Sequence, residues 1–233
     1  MCKNNSELTL KEISKKMDMN QSTISCILST LIDYNYVNKT DDYTYKPSIH
    51  LFELGNKVRD RWDIHKISIP YMEEIVNDIN ETVNLVILDE CKILFIDKKK
   101  ASYEFEIGTQ IGTRLPAHCS AAGKVLLASL SENRVNKIIE EEGLHKYTEN
   151  TITDKNILKE ELKKVLEIGY AIDNEELIEN ITCVAAPIKD HKDECIAALS
   201  VAGLSSRLRS KSIDKIAELI KSKVLKISRK IGY

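Results

Sequence analysis

The chain has 233 residues, 42% hydrophobic and 30% charged, with a formal net charge of −2 at neutral pH, a balance that fits a soluble globular protein of one large or two modest domains. No uninterrupted apolar run reaches the roughly 18 residues needed to cross a bilayer, and the start Met-Cys-Lys-Asn-Asn-Ser has no apolar signal region, which excludes a membrane role and leads us to expect a cytoplasmic location. Cys2, Cys26, Cys91, Cys119, Cys183 and Cys195 form no Cys-x-x-Cys pair, so a zinc ribbon and a disulfide scaffold are both excluded and free thiols, mostly packed inside, are expected.

The first elements in chain order are two short amphipathic helices joined by a tight turn. Leu10, Ile13 and Met17 fall at helical spacing, and Ile24, Ile27, Leu28, Leu31 and Ile32 repeat at i, i+3, i+4, i+7 and i+8, so each helix has one apolar face. Asp18 stands where the chain must reverse and tolerates left-handed backbone, Asn20 is placed to cap the second helix, and the small Ser14 lets the helices cross closely. The non-apolar positions Gln21, Ser22, Thr23, Cys26 and Ser29 are then free to face a major groove, where short hydroxyl and amide side chains can reach phosphates or base edges. Two β-prone runs, Tyr36–Lys39 and Tyr43–Lys46, flank the polar Thr40-Asp41-Asp42 and suggest a hairpin wing. A winged helix-turn-helix follows; a small helical subdomain that binds protein has the same pattern. Residues 1–62 hold nine Lys/Arg and eight Asp/Glu, so few phosphate contacts per subunit are implied, and DNA binding would call for oligomerisation.

From Ser48 to Arg61 a helix is expected, with Leu51, Leu54 and Val58 on one face and the sole tryptophan, Trp62, at its end. A second helix carries Met72, Ile75, Val76 and Ile79 and is expected to begin at Pro70, since proline suits a first turn. These helices read as a connector or as a cap on the next core. Beyond them β and α signals alternate. Strands are expected at Thr82–Leu88 and Ile93–Asp97 (a hairpin around Asp89–Lys92), at Tyr103–Ile107, and near Gly169–Asp173, Thr182–Lys189 and Cys195–Gly203. Helices are expected at Ser120–Leu130, Ser131–Glu140, Asp154–Ile168 with Leu158, Leu162, Val165 and Leu166 inward, and about Ser212–Lys230. Hairpins outnumber parallel crossovers, so the fold class is α+β with a mainly antiparallel sheet.

Pro116 to Lys124 leads from a loop into a helix whose start holds Ser120, Ala121, Ala122 and Gly123. Small residues there let a ligand, best an anion, approach free backbone N–H groups; equally, they permit tight helix–sheet packing. His118-Cys119 and Cys183 invite a thiol-nucleophile reading, and Ala122-Gly123-Lys124 faintly resembles a phosphate loop. Sequence adjacency does not establish hydrogen-bond geometry, and the full G-x-x-x-x-G-K-[ST] pattern is absent, so no catalytic residue is assigned. The runs Asp97–Lys100 and Glu140–Glu142 read as a solvated turn and a solvated helix end. His65, His145 and His191 have no ligand-like spacing; no metal and no cofactor is expected.

Four segments together resemble the IclR family of bacterial transcriptional regulators over nearly the whole length: Ser22-Thr23-Ile24; Arg114-Leu115-Pro116-Ala117-His118-Cys119-Ser120-Ala121-Ala122-Gly123-Lys124; Gly169-Tyr170-Ala171-Ile172-Asp173-Asn174-Glu175-Glu176; and Cys183–Ile188 with Ala198–Gly203. The resemblance implies a winged helix-turn-helix at residues 1–47, a linker helix at 48–63 and a GAF-like effector-binding domain at 64–233, assembled as a homodimer or a dimer-of-dimers tetramer. It implies that Leu115, Ala121, Ala122, Asp173, Ile181, Cys183 and Ser200 line an effector pocket. There Leu115 and Ile181 would supply apolar wall, Ser200 and the Ala121/Ala122 amides would donate, and Asp173 would accept from a ligand hydroxyl. Only Met1–Glu7 precede Leu8, so the supporting helix that members carry ahead of the helix-turn-helix is expected to be missing or truncated. Members tend to have arginine where this chain has Cys26, so weaker phosphate or guanine contact is expected there. The function implied is a ligand-responsive regulator binding a double-stranded DNA operator, a repressor of a catabolic or transport operon that senses a small organic acid. The alternative is a small-molecule sensor with impaired DNA binding that acts through protein assembly.

Overall fold

Two units follow one another along the chain in the computed structural model, Met1–Trp62 and Asp63–Tyr233, and the residues described are 7–61, 63–102 and 109–233. The first unit is built from β1 (Leu8–Thr9), α1 (Leu10–Met17), α2 (Gln21–Asp33), β2 (Val37–Lys39), β3 (Thr44–Pro47) and α3 (His50–Arg61). Thr9 starts α1 through a capping box: its hydroxyl accepts the Glu12 amide while the Glu12 carboxylate accepts the Thr9 amide. Asp18 ends α1 in the left-handed region at φ 51°, and the Ser14 hydroxyl donates to the Met19 carbonyl to close the turn. Asn20 then caps α2 by accepting the Thr23 amide at 2.8 Å.

β1, β3 and β2 pair antiparallel in that order. With the two helices they enclose a core of Leu8, Ile13, Ile24, Leu28, Val37 and Tyr45. Met17 and Ile27, expected inward from periodicity, are 60% and 44% exposed. An apolar stripe on a short helix is wider than so small a core can cover, so its flanking positions meet solvent. Strand β1 has no local signal, because its pairing partner Tyr45 is remote in sequence. Helix α3 begins at His50 rather than Ser48, whose hydroxyl accepts the His50 amide instead. Its Leu51 and Val58 are exposed.

The second unit starts with α4 (Asp63–Ile79), and Pro70 lies inside it rather than at its start. The proline removes one backbone hydrogen bond, but the buried side chains on both sides of it, His65, Ser68, Tyr71, Met72 and Ile75, hold the two halves in one helix. There follow β4 (Thr82–Asp89), β5 (Lys92–Lys99), β6 (Arg114–Pro116), α5 (Ala121–Ala128), α6 (Glu132–Glu142), α7 (Lys155–Ile168), β7 (Ala171–Asn174), β8 (Ile181–Lys189), β9 (Cys195–Leu204), α8 (Ser205–Ser210) and α9 (Ile213–Ile231). Among the described residues the strands form one antiparallel six-stranded sheet in the order β6-β5-β4-β9-β8-β7.

Alternation along the strands divides the side chains between two faces. Val83, Leu85, Val184, Leu199 and Val201 pack with α4 and α9 on one. Val86, Ala185 and Ala198 pack with α5, α6 and α7 on the other. Leu166 of α7 is 61% exposed, not inward, because Leu158, Leu162 and Val165 already fill the stripe that faces the sheet. The run after Ile96 is strand to Lys99 and not a solvated turn: Asp97 is buried, with an oxygen 2.9 Å from His65 Nε2. The short β6 and α8 have no periodicity long enough to announce them. Trp62 and the strand expected at Tyr103–Ile107 lie outside the described residues.

Candidate effector pocket and DNA-reading helix

Every residue of α5 is buried, and Ser120 opens the helix by accepting the Gly123 amide at 3.1 Å. A Cβ at Gly123 would stand 2.1 Å from the Ala117 carbonyl oxygen, so glycine there serves close packing of the incoming loop. Ala121 and Ala122, by contrast, border a cavity. Close packing thus belongs to Gly123, while Ala121 and Ala122 stand beside open space. The first-turn amides of Ala121 and Ala122 have no acceptor within the helix.

The cavity has a volume of about 40 Å³, which at about 10–15 Å³ per water admits a group of about three water-sized parts. Leu115 of β6, Ala121 and Ala122 of α5, Asp173 of β7, Ile181 and Cys183 of β8, and Ser200 of β9 all line it. Asn84, Ile93, Phe95 and Ser120 join them. Strand register brings the polar members together: Asn84 lies opposite Ser200 on β9, and Asp173 opposite Cys183 on β8. The Asn84 amide nitrogen is 3.5 Å from Ser200 Oγ, and its Oδ1 is buried with no hydrogen-bond partner among the described residues. An unpaired buried acceptor costs about 1–3 kcal/mol, which a ligand donor would offset.

Behind this wall lies a charged group that sequence reasoning missed. Lys124 is 1% exposed; its ammonium is 2.6 Å from Glu176 Oε1 and 3.2 Å from Glu161 Oε1. Asp173 Oδ1 accepts the Glu176 amide at 2.7 Å. Burial pushes the Asp173 carboxyl up to about 7, assisted by the negative charge of Glu176 and opposed by that amide and by Lys124. Burial also raises Glu176. Thr148 and Thr151 hold the Glu175–Glu176 turn through their hydroxyls. Two signals could have found these residues: a lone lysine in the otherwise apolar run Ala121–Ala128, and a lone asparagine inside the apolar strand Val83–Leu88.

The thiol-nucleophile arrangement does not form. Cys119 is fully buried and its thiol is pushed up to about 12 by burial; Cys183 is also raised by burial. His118 uses Nε2 on the His145 carbonyl at 3.1 Å, so it is engaged away from a role as base. Among the described residues, no cluster of His, Cys, Asp or Glu is arranged to hold a metal ion, and no helix is long and apolar enough to cross a membrane.

On α2, Gln21, Ser22, Thr23, Cys26 and Ser29 are all exposed while Ile24 and Leu28 face the core. Ser22 Oγ donates to Asn20 Oδ1 at 2.8 Å, leaving the oxygen of its hydroxyl open to solvent-side donors. Ile27 shares this exposed surface. On the wing, the Lys39 ammonium lies 4.9 Å from the Tyr43 ring centre.

The family described as bacterial transcriptional regulator IclR, C-terminal, matches residues 56–229. The HTH-type transcriptional regulator XynR of Escherichia coli K12 is 32% identical over 97% of this chain and 90% of its own length. The transcriptional repressor IclR of the same organism is 29% identical over 94% and 81%. The crystal structure of the Thermotoga maritima IclR superposes with a TM-score of 0.78 at 31% identity, covering 99% of this chain and 94% of that one.

Proposed function

The chain belongs to the IclR family of bacterial transcriptional regulators, and we propose that it represses a catabolic or transport operon and releases it on binding a small organic acid in the cavity between α5 and the sheet. Its work is regulation of transcription through DNA, not catalysis. The observation that carries the effector reading is the cavity itself. Seven positions scattered from Leu115 to Ser200 surround one space of a few heavy atoms, where two helix N-terminal amides and the Ser200 hydroxyl can donate to an anion. Small size, apolar walls at Leu115 and Ile181, and the unpartnered Asn84 oxygen favour a short acid with a hydroxyl or another donor group.

Gln21, Ser22, Thr23, Cys26 and Ser29 are the proposed operator contacts, and the protein acts in the cytoplasm as a homodimer or dimer of dimers. The near balance of charge in residues 1–62 supports this assembly, since a second copy doubles the phosphate contacts. Effector binding shifts the population of assembled geometries, which changes operator occupancy only if the two geometries differ in affinity for the acid.

Fluorescence anisotropy with DNA from upstream of the protein's own gene, at two salt concentrations and against unrelated DNA, tests the operator reading. Selective binding that weakens with salt supports it. Equal weak binding to both DNAs overturns it in favour of a sensor acting through protein assembly, a second reading to which the exposed thiol of Cys26 on α2 gives some weight.

A further inference from the structure

Asp173 stands in the cavity wall at 3% exposure, and the charged and titratable groups facing it come from several elements. Its own turn supplies Glu176, whose amide it accepts. Helix α5 supplies Lys124, and α7 supplies Glu161, paired with that ammonium. Strand β8 supplies the Cys183 thiol, hydrogen-bonded to the Asp173 carboxyl, and the residue before Ser120 supplies Cys119. From β4 and β9 come the neutral Asn84 and Ser200. Lys124 is thus matched by two carboxylates, at 2.6 Å and 3.2 Å, before Asp173 is counted.

With Asp173 ionised, three carboxylates, Asp173 in the wall and Glu176 and the half-buried Glu161 behind it, stand against one ammonium. A carboxylate ligand would add another negative charge beside these buried groups, at a cost that a single lysine cannot offset. We propose that the pocket takes up its anionic ligand together with one proton, held on Asp173, so that the ligand's charge replaces the side chain's and the protonated carboxyl becomes a donor within the site. The proton comes from solvent, no bond of the ligand changes, and the net charge of the wall is the same before and after binding. This deepens the effector reading above and rests on it.

The sign follows from where Asp173 titrates. In the free protein burial holds its carboxyl at about 7. Below that pH the proton is present with or without ligand, and binding takes none up. Above it the free protein has lost the proton and the complex regains it, so affinity falls by up to about tenfold per pH unit until the complex deprotonates too. A short carboxylic acid is itself fully ionised over this range and contributes no slope.

Titration calorimetry of the full chain with propionate and lactate, and with neutral propionamide as control, in buffers of low and high ionisation enthalpy, counts the protons. The expected result is an uptake of about half to one proton per anion at pH 8 and close to none at pH 6, with none for propionamide. Asp173→Asn, which keeps an acceptor for the Glu176 amide and is checked for folding by circular dichroism, should bind the anions with no uptake and no pH slope. Anion binding at pH 8 without proton uptake overturns the proposal and leaves the acid-binding pocket standing. Binding of propionamide but of neither anion, or of none of the three, overturns both. Independently of any ligand, a carbon-13 titration midpoint for Asp173 below pH 5 in the free protein overturns the proposal.

Discussion

The two units are stabilised on different scales. Among the described residues, the first holds six buried apolar side chains around strands of two to four residues. The second, counted over its described residues, places buried clusters of nineteen and eighteen residues on the two faces of its sheet. A small core leaves a unit marginal, so the first depends on caps and turns such as Thr9–Glu12 and Asn20–Thr23. The second has burial enough to carry a costly charged group beside its cavity. The lesson is that the first unit is shaped by local chemistry and the second by long-range pairing.

The largest expected effect tests that separation. Lys124→Met leaves Glu176 buried without its cation and should cost the second unit about 3–5 kcal/mol in urea unfolding, while hydrogen exchange of α2 amides stays unchanged. Equal loosening of α2 would show that the units are energetically one. Next, the stability of the second unit should fall as pH rises from the usual carboxylate value of 3.8 to about 7. Because the folded Asp173 keeps its proton where the unfolded one loses it, the contribution is full below the lower value and gone above the upper, by up to about 4 kcal/mol. Thermal scans at pH 4.5 and 8 with Asp173→Asn, which should reduce the dependence to the part left by the raised Glu176, would check this.

In the first unit, Leu28→Ala should cost about 2–4 kcal/mol, a large share of what six side chains supply. Operator binding should be lost while calorimetric affinity for the acid persists. Smaller effects belong to single contacts. Ala121→Leu should fill the cavity and weaken acid binding at least about tenfold, and Ser200→Ala, which deletes one hydrogen bond worth about 1 kcal/mol, should weaken it about fivefold. The smallest should come from α2: Gln21→Ala is expected to reduce operator affinity severalfold with ligand affinity unchanged, and Cys26→Arg to tighten it through an added charged contact. No change in anisotropy for Cys26→Arg would mean that position 26 faces away from the DNA.

The turn at Asp18, the cap at Asn20, the helix starts near Ser120, Ser131 and Asp154, and the order of the β4–β5 hairpin and the last three strands are legible along the chain, because each is decided mainly by residues near one another in sequence. The same local logic misplaced the start of α4 at Pro70, since a proline's preference for first turns yields when apolar burial continues through it. It also turned Asp97 outward, when a histidine thirty-odd residues earlier was waiting as its buried partner.

Residue order along the chain thus accounts for most of the helices and longer strands and for the family to which the chain belongs, because periodicity, caps and motif spacing are short-range properties. Chain folding was needed to bring Asn84 and Ser200, 116 residues apart, to opposite positions on neighbouring strands, and to seat Lys124 against Glu176 across 52 residues. Which polar groups share a buried space is set by strand register and helix packing. A shift of one residue would send Asn84 and Ser200 to the other face of the sheet, and no local pattern records that choice.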